Sequence, residues 1–157
     1  MDITLDYRGD KTFEVHTLND SFVLDCKRIT PVEYFVSGLL GCTGIDLVMM
    51  AQKDGFEVRH YTVRGEVERK TTPPMKLASV HIVYRFDGDC EPIKAKRYIL
   101  ASLESYCTTV NSVRDSVNVY YTIEYNGEKI AEREAILSGQ GSSEVVLEDG
   151  FGAACGS

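Results

Sequence analysis

The side chains in this sequence best suited to nucleophilic or redox chemistry are thiols. Five cysteines stand at positions 26, 42, 90, 107 and 155. A thiol reacts as its thiolate, so the question for each is whether its surroundings favour the anion. Cys42 lies in Gly41-Cys42-Thr43-Gly44, inside a long apolar stretch in which Gly38, Gly41 and Gly44 recur every three residues. On a helix these glycines line one side, and each costs about 1 kcal/mol relative to alanine in a helix interior. Such a stripe fits the close approach of another backbone or of a substrate beside Cys42. It fits equally a helix packed around an inert buried cysteine. Cys107 sits in Ser105-Tyr106-Cys107-Thr108. A helix opening at Thr108 or Thr109 would aim its first N–H groups at this thiol and lower its pKa. The alternative is a core cysteine that continues the face of Leu100 and Leu103. Cys90 follows the acidic turn Asp87-Gly88-Asp89, which disfavours a thiolate, and Cys26, Cys90 and Cys155 are assigned no role.

The elements that must position these thiols follow from the hydrophobic pattern. Ile3, Leu5 and Tyr7 alternate with polar residues, Arg8-Gly9-Asp10 turns, Phe13 and Val15 resume the alternation, and Phe22-Val23-Leu24 begins a third strand after Asn19-Asp20-Ser21. This is a meander of short antiparallel strands. Thr30 is set as an N-cap, Pro31 fits the first helical position, and Glu33 completes a capping box. The helix then runs from Val32 to roughly Asp54, apolar on nearly all sides, with Gly55 as its terminator. A helix apolar all round is central, wrapped by other elements or by a partner subunit. Tyr61, Val63, Gly65 and Val67, and then Ala78, Val80, Ile82, Tyr84 and Phe86, mark two long strands, each with one buried face. A second helix is expected from Pro92 to about Tyr106 and a short third one through Arg114. A last strand runs from Val117 to Tyr125, before the turn Asn126-Gly127. The expected class is α+β, an antiparallel sheet with a long central helix. Residues 1–137 form one domain in this reading. Residues 138–157, Gly/Ser-rich and acidic, form a C-terminal extension in which Val145-Val146-Leu147 is at most one strand.

Composition narrows the function. The chain has 157 residues, 43% hydrophobic and 26% charged, which suits a single globular core. A formal net charge of -7 opposes binding to nucleic acid or an anionic membrane. The stretch Pro31 to Ala51 contains Glu33, Asp46 and three glycines and suits a buried helix better than a membrane span. Met1-Asp2-Ile3-Thr4 lacks the marks of a signal peptide, and the odd, widely spaced cysteines without a CxxC pair fit a reducing, cytoplasmic compartment. His16, His60 and His81 lie far from the cysteines in sequence, so no metal site is expected.

The stretch Pro31-Val32-Glu33-Tyr34-Phe35-Val36-Ser37-Gly38-Leu39-Leu40-Gly41-Cys42-Thr43-Gly44-Ile45-Asp46 resembles the central helix of the OsmC/Ohr family, with its P-x-E and GCTGID signatures, in the OsmC-like branch. Tyr106-Cys107, ahead of a short helix and the strand to Tyr125, resembles the second cysteine motif. The resemblance covers about residues 1–130. It implies an intertwined homodimer with two long central helices and two active sites at the subunit interface. It implies that Cys42 is the peroxidatic thiolate, which attacks an organic hydroperoxide or hydrogen peroxide and becomes a sulfenic acid. Cys107 is by the same resemblance the resolving thiol, which closes a disulfide that an external dithiol (a thioredoxin-like or lipoyl protein) reduces. No cofactor is implied beyond that reductant.

The chain departs from the organic hydroperoxide resistance branch in three places. Val32 follows Pro31 where that branch has its glutamate, which here comes one place later as Glu33. Asp46 follows Cys42 by four residues and so shares its face, where an ionised carboxylate raises a thiol pKa. Thr108 stands where classical members carry a proline. Glu33 and Cys42 are nine residues apart (33 to 42), about 13 Å along a straight helix and roughly half a turn out of phase. Glu33 therefore reaches Cys42 only across a dimer, and capping its own helix is the favoured role. An arginine must then come from elsewhere to stabilise the thiolate. Arg8 and Arg28 are candidates by position only, against the ordinary account of solvated surface arginines. Three functions are weighed. The first is a thiol peroxidase of oxidative-stress defence. The second is a non-catalytic dimeric stress protein holding a small lipophilic ligand in an interfacial cleft. The third is a thioesterase built on a long helix wrapped by a sheet. Oxidation of Cys42 and Cys107 by peroxide separates the first from the second. Acyl-CoA hydrolysis insensitive to thiol blocking marks the third.

Overall fold

Alternation in the first residues yields a three-stranded antiparallel sheet in the order β1 (Thr4–Gly9), β2 (Thr12–His16), β3 (Ser21–Asp25). The computed structural model describes residues 1–137. The extension from 138 onward, with its suggested strand and Cys155, lies outside the described residues. The chain divides inside its long helix into two units, one ending at Gly38 and the other beginning at Leu39. In the first unit, Val15 is the buried apolar residue of the sheet, and Tyr7 and Phe13 pack cross-strand with ring centroids 5.4 Å apart.

Helix α1 (Pro31–Asp54) starts at the expected cap. The backbone N–H of Thr30 donates to Glu33 Oε2 at 2.7 Å, and the N–H of Glu33 donates to Thr30 Oγ1 at 3.3 Å. Two N–H groups that the first turn would leave unpaired are thereby satisfied reciprocally. The helix ends at Gly55, whose φ of 71° is the left-handed conformation that a helix stop requires. By length and apolarity α1 is the one helix among the described residues that would also suit a membrane crossing. In the second unit, however, Leu39, Leu47 and Met50 are buried in the protein's own core.

That core is built on a four-stranded sheet in the order β4 (Val58–Arg69), β5 (Leu77–Gly88), β6 (Asn118–Tyr125), β7 (Glu128–Ala135). Every second residue of β5, from Val80 through Ile82 and Tyr84 to Phe86, is buried, as period-2 alternation requires. Leu47, Ile82 and Ile99 are fully inaccessible, each worth about 1.5–3 kcal/mol by removal of apolar surface from water. Gly65 lets β4 close onto α1, because a Cβ there would stand 2.9 Å from a Leu40 methyl.

Three features differ from the sequence expectation. The β5–β6 pair is parallel, so the sheet is antiparallel except at this one junction. The chain leaves β5, passes through helices α2 (Pro92–Ala101) and α3 (Thr108–Val113), and returns in the same direction. A parallel pair needs such a crossover, and alternation within a strand carries no trace of it. Strand β7 was not expected. Glu128, Lys129, Glu132, Arg133 and Glu134 give it weak apolar alternation, the composition of an edge strand. The helix expected from Pro92 to about Tyr106 also changes character. Its α-helical part stops at Ala101, and Ser102–Tyr106 forms a π turn that delivers the chain to Cys107.

Candidate active site

Both cysteines of interest lie in the second unit. Cys42 projects from the middle of α1 and is partly buried against the core. Cys107 is fully inaccessible at the junction of the π turn and α3. The two thiols are hydrogen-bonded to each other. Residues 65 positions apart (42 to 107) thus meet at one point.

The environment of Cys107 carries opposing influences. As expected, the start of α3 faces the sulfur: Thr109 Oγ1 lies 3.3 Å from Sγ, and the Val110 N–H is directed at it. Both favour the thiolate. Burial opposes them and is the largest influence, and Cys42 adds to it through its hydrogen bond and its charge. The outcome is a thiol pushed up to about 12. The helix-end lowering of the Cys107 pKa that the sequence suggested is thereby outweighed, and the alternative of a core cysteine fits its burial. Helix-terminus donors are present, but desolvation outweighs them. Within the pair, Cys107 keeps its proton and can donate it toward Cys42.

A buried polar chain runs beside the pair. Ser102 Oγ donates to Asp46 Oδ2 at 2.6 Å and lies 2.9 Å from Thr43 Oγ1, which lies 2.6 Å from the Tyr84 hydroxyl. A hydroxyl has one proton to give. With Ser102 donating to Asp46, Thr43 must donate to Ser102, and Tyr84 to Thr43. Tyr84 suits that end, since burial holds its phenol well above the usual range and so protonated. Asp46 therefore has a hydroxyl donor of its own in the core, a partner that its position four residues after Cys42 did not reveal. Tyr61, on β4, donates to the carbonyl of Gly44 at 3.1 Å and further fixes this stretch of α1.

Of the glycine stripe, Gly44 makes a close approach, its virtual Cβ standing 3.3 Å from a Val63 methyl. Gly38 and Gly41 face open space among the described residues. Gly41 and Gly44 help line an open apolar recess of about 360 Å³ with Leu40, Ile45, Val48 and Tyr61.

The other candidates belong to the first unit. Glu33 is engaged in the capping box, and the Thr30 backbone N–H, then its hydroxyl, hold its carboxyl below the usual range. The Arg8 guanidinium is paired with Glu14, with Nε 2.8 Å from the carboxylate. Arg28 is exposed, and its N–H closes a turn onto the Asp25 carbonyl at 3.2 Å. Sequence reasoning missed Ser102, Thr43 and Tyr84. The first two are small polar residues in apolar helices, and an interior hydroxyl in such a helix is the signal that could have marked them.

A layer of helices over a mostly antiparallel sheet, with a cysteine from the long helix meeting one from a helix junction, defines a class of two-cysteine α+β proteins. The OsmC-like protein family model matches residues 24–122, and the chain belongs to that family. Protein YhfA of Escherichia coli (strain K12) is 25% identical over 99 residues, covering 62% of this chain and 74% of that protein. An OsmC-like protein from Mycoplasma pneumoniae superposes with a TM-score of 0.68 at 16% identity, over 79% of this chain and 95% of the other. An organic hydroperoxide resistance protein OsmC from Legionella pneumophila does so with a TM-score of 0.56 at 16% identity, over 78% of this chain and 96% of the other. The structural likenesses establish the shared fold.

Proposed function

We propose that the protein is a thiol-dependent peroxidase with a peroxide-related stress role. The observation that carries this reading is the hydrogen-bonded contact between Cys42 and Cys107 in a largely dry core. The Cys42 thiolate attacks one oxygen of a hydroperoxide. The O–O bond breaks, the leaving alkoxide takes a proton to become an alcohol, and Cys42 becomes a sulfenic acid. The Cys107 sulfur then attacks the Cys42 sulfur, its proton and the hydroxyl leave as water, and a disulfide forms. An external dithiol, from a thioredoxin-like or lipoyl protein, returns both to thiols by exchange. The Cys107 S–H beside Cys42 supports the first step as a donor to the attacking sulfur. A basic group beside Cys42 would support it further. Arg8 and Arg28 are put forward by position, although the pairing of Arg8 with Glu14 favours its reading as a surface arginine.

The active form in this reading is a cytoplasmic homodimer. Ile45 and Met49 leave apolar surface on the later part of α1 that a second copy would cover. Organic hydroperoxides and hydrogen peroxide are the substrates, with no cofactor beyond the dithiol.

Mass spectrometry after one equivalent of cumene hydroperoxide tests the mechanism. A Cys42–Cys107 disulfide is expected, and Cys42→Ser should abolish it. Unreacted thiols in the wild type would overturn the peroxidase and leave a dimeric binder of small lipophilic molecules, with the recess beside Gly41 as its first place to look.

A further inference from the structure

Ser102 touches the supports of both cysteines. Its carbonyl accepts the Cys107 N–H at 2.8 Å, the contact that closes the π turn and sets where Cys107 sits. Its hydroxyl reaches two residues of α1, donating to Asp46 Oδ2 at 2.6 Å and lying 2.9 Å from Thr43 Oγ1 and 3.5 Å from the Thr43 carbonyl. Thr43 is the residue after Cys42, and Asp46 is one turn further along the same helix. Ser102 is fully inaccessible, as is Thr43, while Asp46 is 1% exposed, so water does not compete for these bonds. A second tie runs parallel to the first: Thr109 Oγ1 lies 3.3 Å from Cys107 Sγ and 3.4 Å from the Leu39 carbonyl of α1. The π turn is itself a departure from α geometry. Widening the last turn by one residue is what brings the Ser102 carbonyl onto the Cys107 N–H.

We propose that Ser102 is a positioning residue for the resolution step. It holds the Cys107 sulfur in line with the sulfur of Cys42 and so sets the rate at which the sulfenic acid closes to the disulfide. It takes no part in the attack on peroxide. Disulfide closure is the step that depends on it, because two sulfurs must come to bonding distance with a narrow range of torsions, and small misplacement of a reacting pair is costly. Asp46 and Thr43 are the anchors on α1 that give the Ser102 hydroxyl its hold. The inference rests on the peroxidase reading above.

The test is a single-turnover experiment on the full chain with one equivalent of cumene hydroperoxide, quenched at successive times. Dimedone traps the Cys42 sulfenic acid, and mass spectrometry counts trapped sulfenic acid, disulfide and sulfinic acid. In Ser102→Ala, loss of thiol at Cys42 should proceed at the wild-type rate, while disulfide closure slows roughly five- to tenfold, as expected for one buried hydrogen-bonded anchor. Trapped sulfenic acid and, under excess peroxide, sulfinic acid should rise in step. Thr43→Val is the companion variant. It is close in shape and removes only the hydroxyl between Ser102 and Tyr84, and it should slow closure in the same direction. Ser102→Thr, which keeps the hydroxyl, should restore much of the closure rate.

Wild-type closure rates in folded Ser102→Ala and Thr43→Val would overturn the proposal. So would equal slowing of attack and closure, and so would loss of fold in both variants by circular dichroism, since the network would then be structural only. Failure of the wild-type protein to form any sulfenic acid would sink the peroxidase reading itself, a result distinct from these.

Discussion

The two cysteines occupy opposite kinds of place. Cys42 rises from the middle of a long helix and is partly buried, while its neighbours Gly41 and Gly44 help line an open apolar recess. Cys107 sits at a break between two short helical segments, sealed from solvent, with the hydroxyl of Thr109 and the N–H of Val110 directed at its sulfur. The local elements favour a thiolate at Cys107, yet burial and the neighbouring Cys42 hold its proton in place. The difference teaches that two thiols in contact need not compete for one role. Cys42 is only partly buried, whereas Cys107 is sealed and retains its proton. In the proposed mechanism, oxidation of Cys42 to a neutral sulfenic acid would remove the charge that opposes ionisation of Cys107, while Thr109 and Val110 would still favour it. In that mechanism the resolving thiol would be released only after the first step.

The sharpest way to break this contrast is to remove Cys42. Peroxide turnover with a dithiol reductant should fall to background in Cys42→Ser, read as loss of reductant oxidation. Retained turnover would mean that Cys107 or another thiol attacks. Removing Cys107 should cost turnover as well, but with a different signature. Cys107→Ser should still consume one equivalent of peroxide per chain and accumulate a dimedone-reactive Cys42, and failure to do so would assign the attack wrongly.

Alkaline stability reads the same contrast with a smaller effect. The native fold holds the Cys107 proton up to about 12, against an ordinary value of 9.0. The folded state therefore keeps a proton that the unfolded chain releases, so this contribution is complete below pH 9.0 and is lost as pH rises toward about 12. In Cys42→Ala the hydrogen bond and charge that help raise it are gone. Urea melts across that range should show a smaller loss of stability than in the wild type, with the buried tyrosines titrating alike in both proteins. An unchanged loss would mean that burial alone holds the Cys107 proton. Thr109→Val should have the smallest effect. Removing a hydroxyl 3.3 Å from the sulfur should slow disulfide closure roughly two- to threefold, read in the same dimedone experiment. An acceleration would reverse the sign assigned to that contact.

Much of this was legible in the residues themselves. Thr30, Pro31 and Glu33 set the start of α1, Gly55 its end, and alternation from Val80 to Phe86 the buried face of β5. All are local rules of capping, backbone freedom and period, which act over a few residues and so are written in a few residues. The family signature around Gly41-Cys42-Thr43-Gly44-Ile45-Asp46 drew attention to α1 for the same reason. Strand β7 escaped because its pairing with β6, and not its own composition, makes it a strand. The parallel joining of β5 and β6 escaped because a crossover is a property of where the chain returns. The protonation of Cys107 escaped because burial is a sum over atoms from distant elements, and that sum exceeded the helix-terminus effect that the local sequence did show. Ser102 gave little sign of its importance until Asp46 and Thr43 stood beside it. The two cysteines with which the chemistry begins were visible from the start. Only the tertiary structure decided that they touch, that Cys107 keeps its proton, and that Ser102 contacts the supports of both, because each of those facts depends on contacts between residues dozens of positions apart.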